Sequence, residues 1–263
     1  MTHATRASLV DDLRRMGVRP GDGVFVHASF GRIAPVVGGP RSVLDALLET
    51  VGPEGLLAMP GFSTDAYMPP LPPDSDSDTL RRLRDAVPGH DPARSPTAGM
   101  GILAELFRSW PGTVRSGHPA VSICVNGAGA DDIVRKHALE FATGPGTPLG
   151  EMIERPGMKI LLLGVDWTRC SALHTAETLA KTRRLKTRMF KHDGQWLETP
   201  DVADDNGRLF PRVGAAFEAR SEVTFGRVGH AEARLCDFAG LVHFASDWIG
   251  RANLDAEMGG DSS

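Results

Sequence analysis

Lys159-Ile160-Leu161-Leu162-Leu163-Gly164-Val165 is the segment that most narrows what this chain can become. An apolar run this short, halted by a glycine, marks a strand buried inside a sheet. Two shorter runs behave alike. Val24-Phe25-Val26 follows the turn Pro20-Gly21-Asp22-Gly23, and Leu56-Leu57-Ala58-Met59 follows Gly52-Pro53-Glu54-Gly55. Helical patterns alternate with these runs. Leu9, Leu13 and Met16 recur at helical spacing and stop at Gly17, and 41–51 sets Val43, Leu47 and Val51 on one face. Helix, strand, helix, strand is the rhythm of an α/β sheet.

Further along, the pattern predicts helices at 99–110, 131–138, 171–181, 211–220 and 239–251, and a strand at 121–125. Ser171 is placed to cap its helix. Asp193-Gly194, between Met189-Phe190-Lys191 and Gln195-Trp196-Leu197, predicts a hairpin. The stretch 63–98 breaks the rhythm with prolines and with Asp74-Ser75-Asp76-Ser77-Asp78. A loop this long is functional or disordered. It reads as a lid or substrate wall, with plain disorder as the alternative. One domain is expected over 1–263, with a frayed tail after about 252.

Composition enters mainly as exclusion. A chain of 263 residues can bury a core without disulfides. Cys124, Cys170 and Cys236 are far apart and form no CxxC, which suits reduced thiols in the cytoplasm. The net charge of -4 shows no basic excess, so no nucleic-acid partner is expected. No apolar run approaches a membrane span, and the N-terminus lacks the apolar core of a signal peptide. There is no Walker loop, and Gly127-Ala128-Gly129 lacks the third glycine of a dinucleotide loop. HExxH is absent, and no metal is expected. His27-Ala28-Ser29-Phe30-Gly31 approaches a nucleophile elbow but has His27 where the first glycine belongs. The Arg/Gln-x-x-Gly-x-Gly/Ala pyrophosphate loop of the commonest N-acetyltransferases is also missing.

Three histidines stand where chemistry is plausible. His174 opens the helix after the strongest strand, and Glu177 lies three residues on, on the same face. A carboxylate at that spacing holds an imidazole in one tautomer, and a held imidazole takes a proton from an attacking amine or hydroxyl. Strand C-terminal ends are where open α/β sheets build sites. The same spacing also fits an ordinary solvated pair. His118 sits in Arg115-Ser116-Gly117-His118-Pro119, a stiff turn that equally fits a structural histidine. His27 ends a strand before Ser29 and a glycine-bearing loop, where backbone amides can bind phosphate oxygens. It could equally close the strand with a hydrogen bond.

Several of these pieces, in their order and spacing, resemble the aminoglycoside 3-N-acetyltransferase family from about Arg6 to Arg251. They are Val26-His27-Ala28-Ser29-Phe30 with Gly38-Gly39, Gly52-Pro53-Glu54-Gly55 with the strand after it, Gly99-Met100-Gly101-Ile102-Leu103-Ala104-Glu105, and Arg115-Ser116-Gly117-His118-Pro119. Leu162-Leu163-Gly164-Val165 followed by Leu173-His174-Thr175-Ala176-Glu177 is the most telling, and Asp205-Asn206-Gly207 and Val228-Gly229-His230-Ala231 complete the set.

The resemblance implies a single-domain mixed α/β sheet flanked by helices, distinct from the commonest N-acetyltransferase fold. It implies acetyl-coenzyme A as co-substrate, a cationic aminoglycoside as acceptor, resistance as outcome, and leaves room for a homodimer. His174 would be the general base, oriented by Glu177, in direct transfer to the 3-amino group of deoxystreptamine. The coenzyme would lie along His27, Ser29, Phe30, Gly31, Gly38, Gly39, Arg115, Ser116 and His118. Asp65, Tyr67, Asp201, Asp204 and Asp205 would meet the antibiotic. Thr97-Ala98 replaces an aromatic-Arg pair of many relatives, and 66–92 matches poorly, which bears on substrate range. The alternatives are acetyl transfer to another amine, a serine-type thioester hydrolase built on Ser29 with His27 or His174, and a coenzyme-A-binding or scaffolding protein without catalysis.

Overall fold

The computed structural model describes residues 2–71, 74–203, 207–220 and 222–260. In chain order the elements are α1 (Arg6–Met16), β1 (Gly23–Ala28), α2 (Phe30–Ile33), α3 (Gly39–Val51), β2 (Leu56–Pro60), α4 (Ser77–Ala86) and α5 (Gly101–Arg108). Then come β3 (Val114–Arg115), β4 (Ile123–Gly127), α6 (Ala130–Val134), α7 (Pro148–Glu154), β5 (Met158–Leu163) and α8 (Ala172–Leu179). The chain continues through β6 (Leu185–His192), β7 (Gln195–Val202), α9 (Phe210–Glu218), β8 (Thr224–Val228), β9 (Ala231–Asp237) and α10 (Phe238–Gly260).

Seven strands form one mixed sheet in the order β3-β4-β2-β1-β5-β9-β8, and β6 and β7 form a separate ribbon. The centre is parallel: β1 pairs with β2 on one side and β5 on the other, while the outer strands add antiparallel. The apolar runs are unbroken because both faces are covered. Val24, Val26, Leu57, Met59, Leu161 and Leu163 join α1, α3 and α5 in one core. Phe25, Leu56, Ala58, Ile160 and Leu162 face the other core, filled from α7, α8, α9 and α10. Leu162 is fully buried at the sheet's centre, and Leu162→Ala would cost about 2–5 kcal/mol.

The helix ends follow local chemistry. Thr5 caps α1, and Gly17 ends it in the left-handed region at φ 103°. Asp193 and Gly194 take φ 47° and 78°, the turn required by a two-residue hairpin.

Several features depart from the sequence expectations. The stretch 63–98 contains α4, capped by the Asp76 side chain onto the Thr79 amide. The hairpin of β8 and β9, the edge strand β3 and helix α7 were not anticipated, although Thr147 caps α7 just ahead of Pro148. Ser171 occupies the N-cap position of α8 but makes no side-chain cap bond. Helical backbone runs to Gly260, past the expected onset of fraying.

Candidate active site

β1 is the strand at which the chain order reverses, since β2 lies on one side of it and β5 on the other. Sheets of this kind bind ligands outside the C-terminal ends of their parallel strands at that point. A cleft of about 970 Å³ opens there. Its walls are the end of β1 with Ser29, Phe30, Gly31 and Arg32, the entry to α5, the turn from Gly164 to Arg169, Ser171, and the β8–β9 turn. Arg32, Arg169 and Arg227 are exposed on it and form no ion pair among the described residues. Arg234, also on the wall, is held by Glu218 at 2.8 Å. Gly164 has φ 64°, and a Cβ there would lie 2.5 Å from the Arg32 Cβ, so glycine is needed at this corner.

His27 points from β1 into the gap beneath α8. Its Nε2 accepts the Ser171 amide at 2.9 Å, which places the ring hydrogen on Nδ1. That atom is buried and unpaired among the described residues. Burial, reinforced by His174, pushes the His27 pKa down to about 3, so the ring is neutral near pH 7. His27 therefore pins the head of α8 to the end of β1.

His174 stands in the first turn of α8. Its Nδ1 is 2.8 Å from Glu177 Oε2. An ionised carboxylate only accepts, so Nδ1 donates, and in the neutral ring Nε2 then carries the lone pair. Phe210 packs edge-on against the ring at 4.9 Å, and Glu177 is buried. Thr143 Oγ1 and Thr178 Oγ1 both donate to the His174 carbonyl, at 3.1 and 3.0 Å. His174 and Glu177 line a second, smaller pocket of about 180 Å³, with Phe62, Val121, Thr143, Thr178, Arg188, Asp201 and Val202. Ser171 lines the large cleft, so one turn of α8 separates the two spaces.

The expected site residues divide accordingly. His174, Glu177 and Asp201 meet in the small pocket, and His27, Ser29, Phe30 and Gly31 line the large cleft. Gly38 and Gly39 are not in its wall; Gly38 takes φ 79° as the N-cap of α3.

Arg115, Ser116 and His118 are also elsewhere, with their polar atoms used internally. Arg115 donates to the Gly61 and Ser95 carbonyls and to Ser122. Ser116 Oγ sits 2.8 Å from His137 Nδ1 and accepts the Ile123 amide. His118 Nδ1 accepts the amides of Ala120 and Val121. His118 is fully buried and held neutral, its pKa lowered to about 2 by burial and then by His137. It has no surface to offer a coenzyme.

Asp65 is half-buried and outside the small pocket. It acts on His90, whose pKa burial and then Arg115 lower to about 4 against the pull of Asp65. Tyr67 Oη accepts from Arg188 at 2.9 Å. Asp204 and Asp205 lie outside the described residues.

The sequence profile of the aminoglycoside 3-N-acetyltransferases matches residues 25–250. The chain belongs to the aminoglycoside 3-N-acetyltransferase family. It is thereby an acyltransferase, and the sheet and helices above are that family's fold. The SPbeta prophage-derived aminoglycoside N(3')-acetyltransferase-like protein YokD of Bacillus subtilis (strain 168) is 34% identical over 93% of this chain and 92% of its own length. The solved structure of AAC-IIIb in binary complex with CoASH superposes with a TM-score of 0.82 at 30% identity, covering 95% of this chain and 98% of that one. AAC-VIa bound to sisomicin gives a TM-score of 0.82 at 31% identity, covering 95% and 99%. Among the described residues no helix is long and apolar enough to cross a membrane.

Sequence reasoning missed Arg188, Thr143 and the cleft arginines Arg32, Arg169 and Arg227. Arg188 belongs to β6, and its partners come from residues 67 and 201, so no local pattern signals it.

Proposed function

We propose that this cytoplasmic enzyme moves an acetyl group from acetyl-coenzyme A to the 3-amino group of a deoxystreptamine aminoglycoside, which would confer resistance. The observation that carries the reading is the first turn of α8. Ser171 lines the large cleft and His174 lines the small pocket three residues on, so a donor and an acceptor held in the two spaces meet at one turn. The cleft suits the coenzyme on its own chemistry. It has a volume of about 970 Å³, and three guanidinium groups with no ion pair among the described residues line it, which suits a ligand rich in phosphate. The relative carrying CoASH supports the same assignment, and the relative carrying sisomicin supports the acceptor class.

In this reading Glu177 holds the His174 Nδ1 hydrogen, and Nε2 removes a proton from the acceptor amine as it attacks the thioester. An ammonium has no lone pair, so the base makes the nucleophile. Glu177 then stabilises the imidazolium, and neutral His27 does not repel it. The hydrolase alternative is weakened at Ser29. His27, two residues before it in the chain, has Nε2 occupied by the Ser171 amide, and Ser29 Oγ has no histidine partner among the described residues. The single sheet running from residue 23 to 237 supports reading the chain as one domain.

The test is free-thiol release from acetyl-coenzyme A with aminoglycosides that have or lack a free 3-amino group. Release confined to the former is expected. Release with neither would sink the antibiotic reading, and release without any acceptor would favour a hydrolase.

A further inference from the structure

Arg188 is a cation in a pocket meant for a polycation. Its side chain is 19% exposed and lines the small pocket beside His174 and Glu177. Nε donates to Asp201 Oδ2 at 2.6 Å, and Nη1 donates to Tyr67 Oη at 2.9 Å. Asp201 Oδ1 accepts the Val202 amide at 2.8 Å, so both oxygens of that carboxylate are engaged. Glu177 Oε2 is engaged by His174. The pocket's carboxylates are thus turned to the chain itself. Arg188 Nη2, in contrast, has no hydrogen-bond partner among the described residues. The rest of the wall is apolar (Phe62, Val121 and Val202) or carries hydroxyls already donating to a carbonyl.

We infer that Arg188 determines which acceptors enter the pocket, by requiring an oxygen rather than an ammonium beside the amine that is acetylated. A hydroxyl or ether oxygen there accepts from Nη2. An ammonium meets a fixed like charge and, among the described residues, carboxylates already bonded within the chain. Such repulsive elements set specificity as much as attractive ones do. The inference rests on the proposed function only for the acceptor's place at His174.

The experiment uses two deoxystreptamine aminoglycosides identical except that one carries hydroxyl and the other amine on the attached sugar, at the position nearest the acetylated nitrogen. Each is titrated calorimetrically into the full chain with coenzyme A present. Wild type should bind the hydroxyl member about 10–100-fold more tightly. Arg188→Gln should erase or invert that preference, because it removes the cation and frees Asp201. The double variant Arg188→Gln/Asp201→Asn leaves no unpaired buried charge, carries the test if the single variant is unstable, and should show no preference.

Equal binding by wild type, binding of neither member, or an unchanged ratio in both variants would overturn the inference. Thiol release is measured in parallel. Release without discrimination would overturn the inference and leave the transfer reading intact. Discrimination in binding without release would do the reverse.

Discussion

Ser171 and His174 stand three residues apart at the head of α8, but they face walls made by different means. The large cleft is bounded by backbone turns at strand ends; Arg32, Arg169 and Arg227 are exposed on it with no ion pair among the described residues, and Asp166 and Glu232 line it as well. The small pocket is bounded by side chains from residues 62 to 202, and its carboxylates are bonded within the chain: Glu177 to the His174 ring, Asp201 to Arg188. An open wall whose exposed guanidinium groups have no ion-pair partner among the described residues suits a ligand that brings its own anions. A closed wall of mutually satisfied charges suits chemistry, because its groups are already oriented before the acceptor arrives.

The largest expected effect separates the two spaces outright. His174→Ala should lower kcat by about 10²–10⁴-fold, the span of general-base catalysis, while coenzyme binding stays within about threefold of wild type. Thiol release and calorimetry measure the two, and a parallel loss of coenzyme binding would mean the cleft and the pocket are not separable. An imidazolium at His174 cannot accept a proton, so the rate should also fall in acid, and a flat profile would count against a histidine base.

Acid should next distinguish the two halves by stability. His27, His118 and His137 have pKa values lowered by burial to about 3, 2 and 4. Below the unfolded value of about 6.5 the unfolded chain takes up protons that the folded chain refuses, so stability falls as pH drops from there toward those folded values. Each contributes up to about 1.4 kcal/mol per pH unit within its window. His118 and His137 pack together at 4.8 Å behind the pocket side. Hydrogen exchange near pH 5 should therefore loosen 116–142 before β5; uniform loosening would erase the contrast.

The smallest effect belongs to the cleft. Arg169→Ala/Arg227→Ala should raise the coenzyme KM about 10-fold with kcat nearly unchanged, and added salt should narrow the difference from wild type. A fall in kcat instead would place those arginines at the reacting end.

The same contrast explains what was legible in the sequence. β1, β2 and β5 were visible because burial on both faces leaves unbroken apolar runs. His174 with Glu177 was visible because i and i+3 share a helix face. Helix α4 was not, since none of its residues is buried and apolar periodicity has nothing to record. Strand β8 was missed for a related reason: 224–227 are exposed, and only pairing with β9 orders them. The resemblance put Arg115, Ser116 and His118 along the coenzyme, whereas their polar groups are bonded to Gly61, His137 and the amides of 120 and 121. From sequence alone, a polar side chain satisfied inside the fold cannot be told from one waiting for a ligand.

The single helix turn between cleft and pocket also constrains the rate law. Cys170, the thiol adjoining that turn, is fully buried, and burial pushes its pKa up to about 12, so it offers no thiolate to carry an acyl group from one space to the other. In the direct transfer proposed above both reactants are present together, and either can arrive first. Initial velocities measured against each reactant at several fixed levels of the other should give lines that converge, the pattern of a ternary complex, and not the parallel lines of a ping-pong exchange.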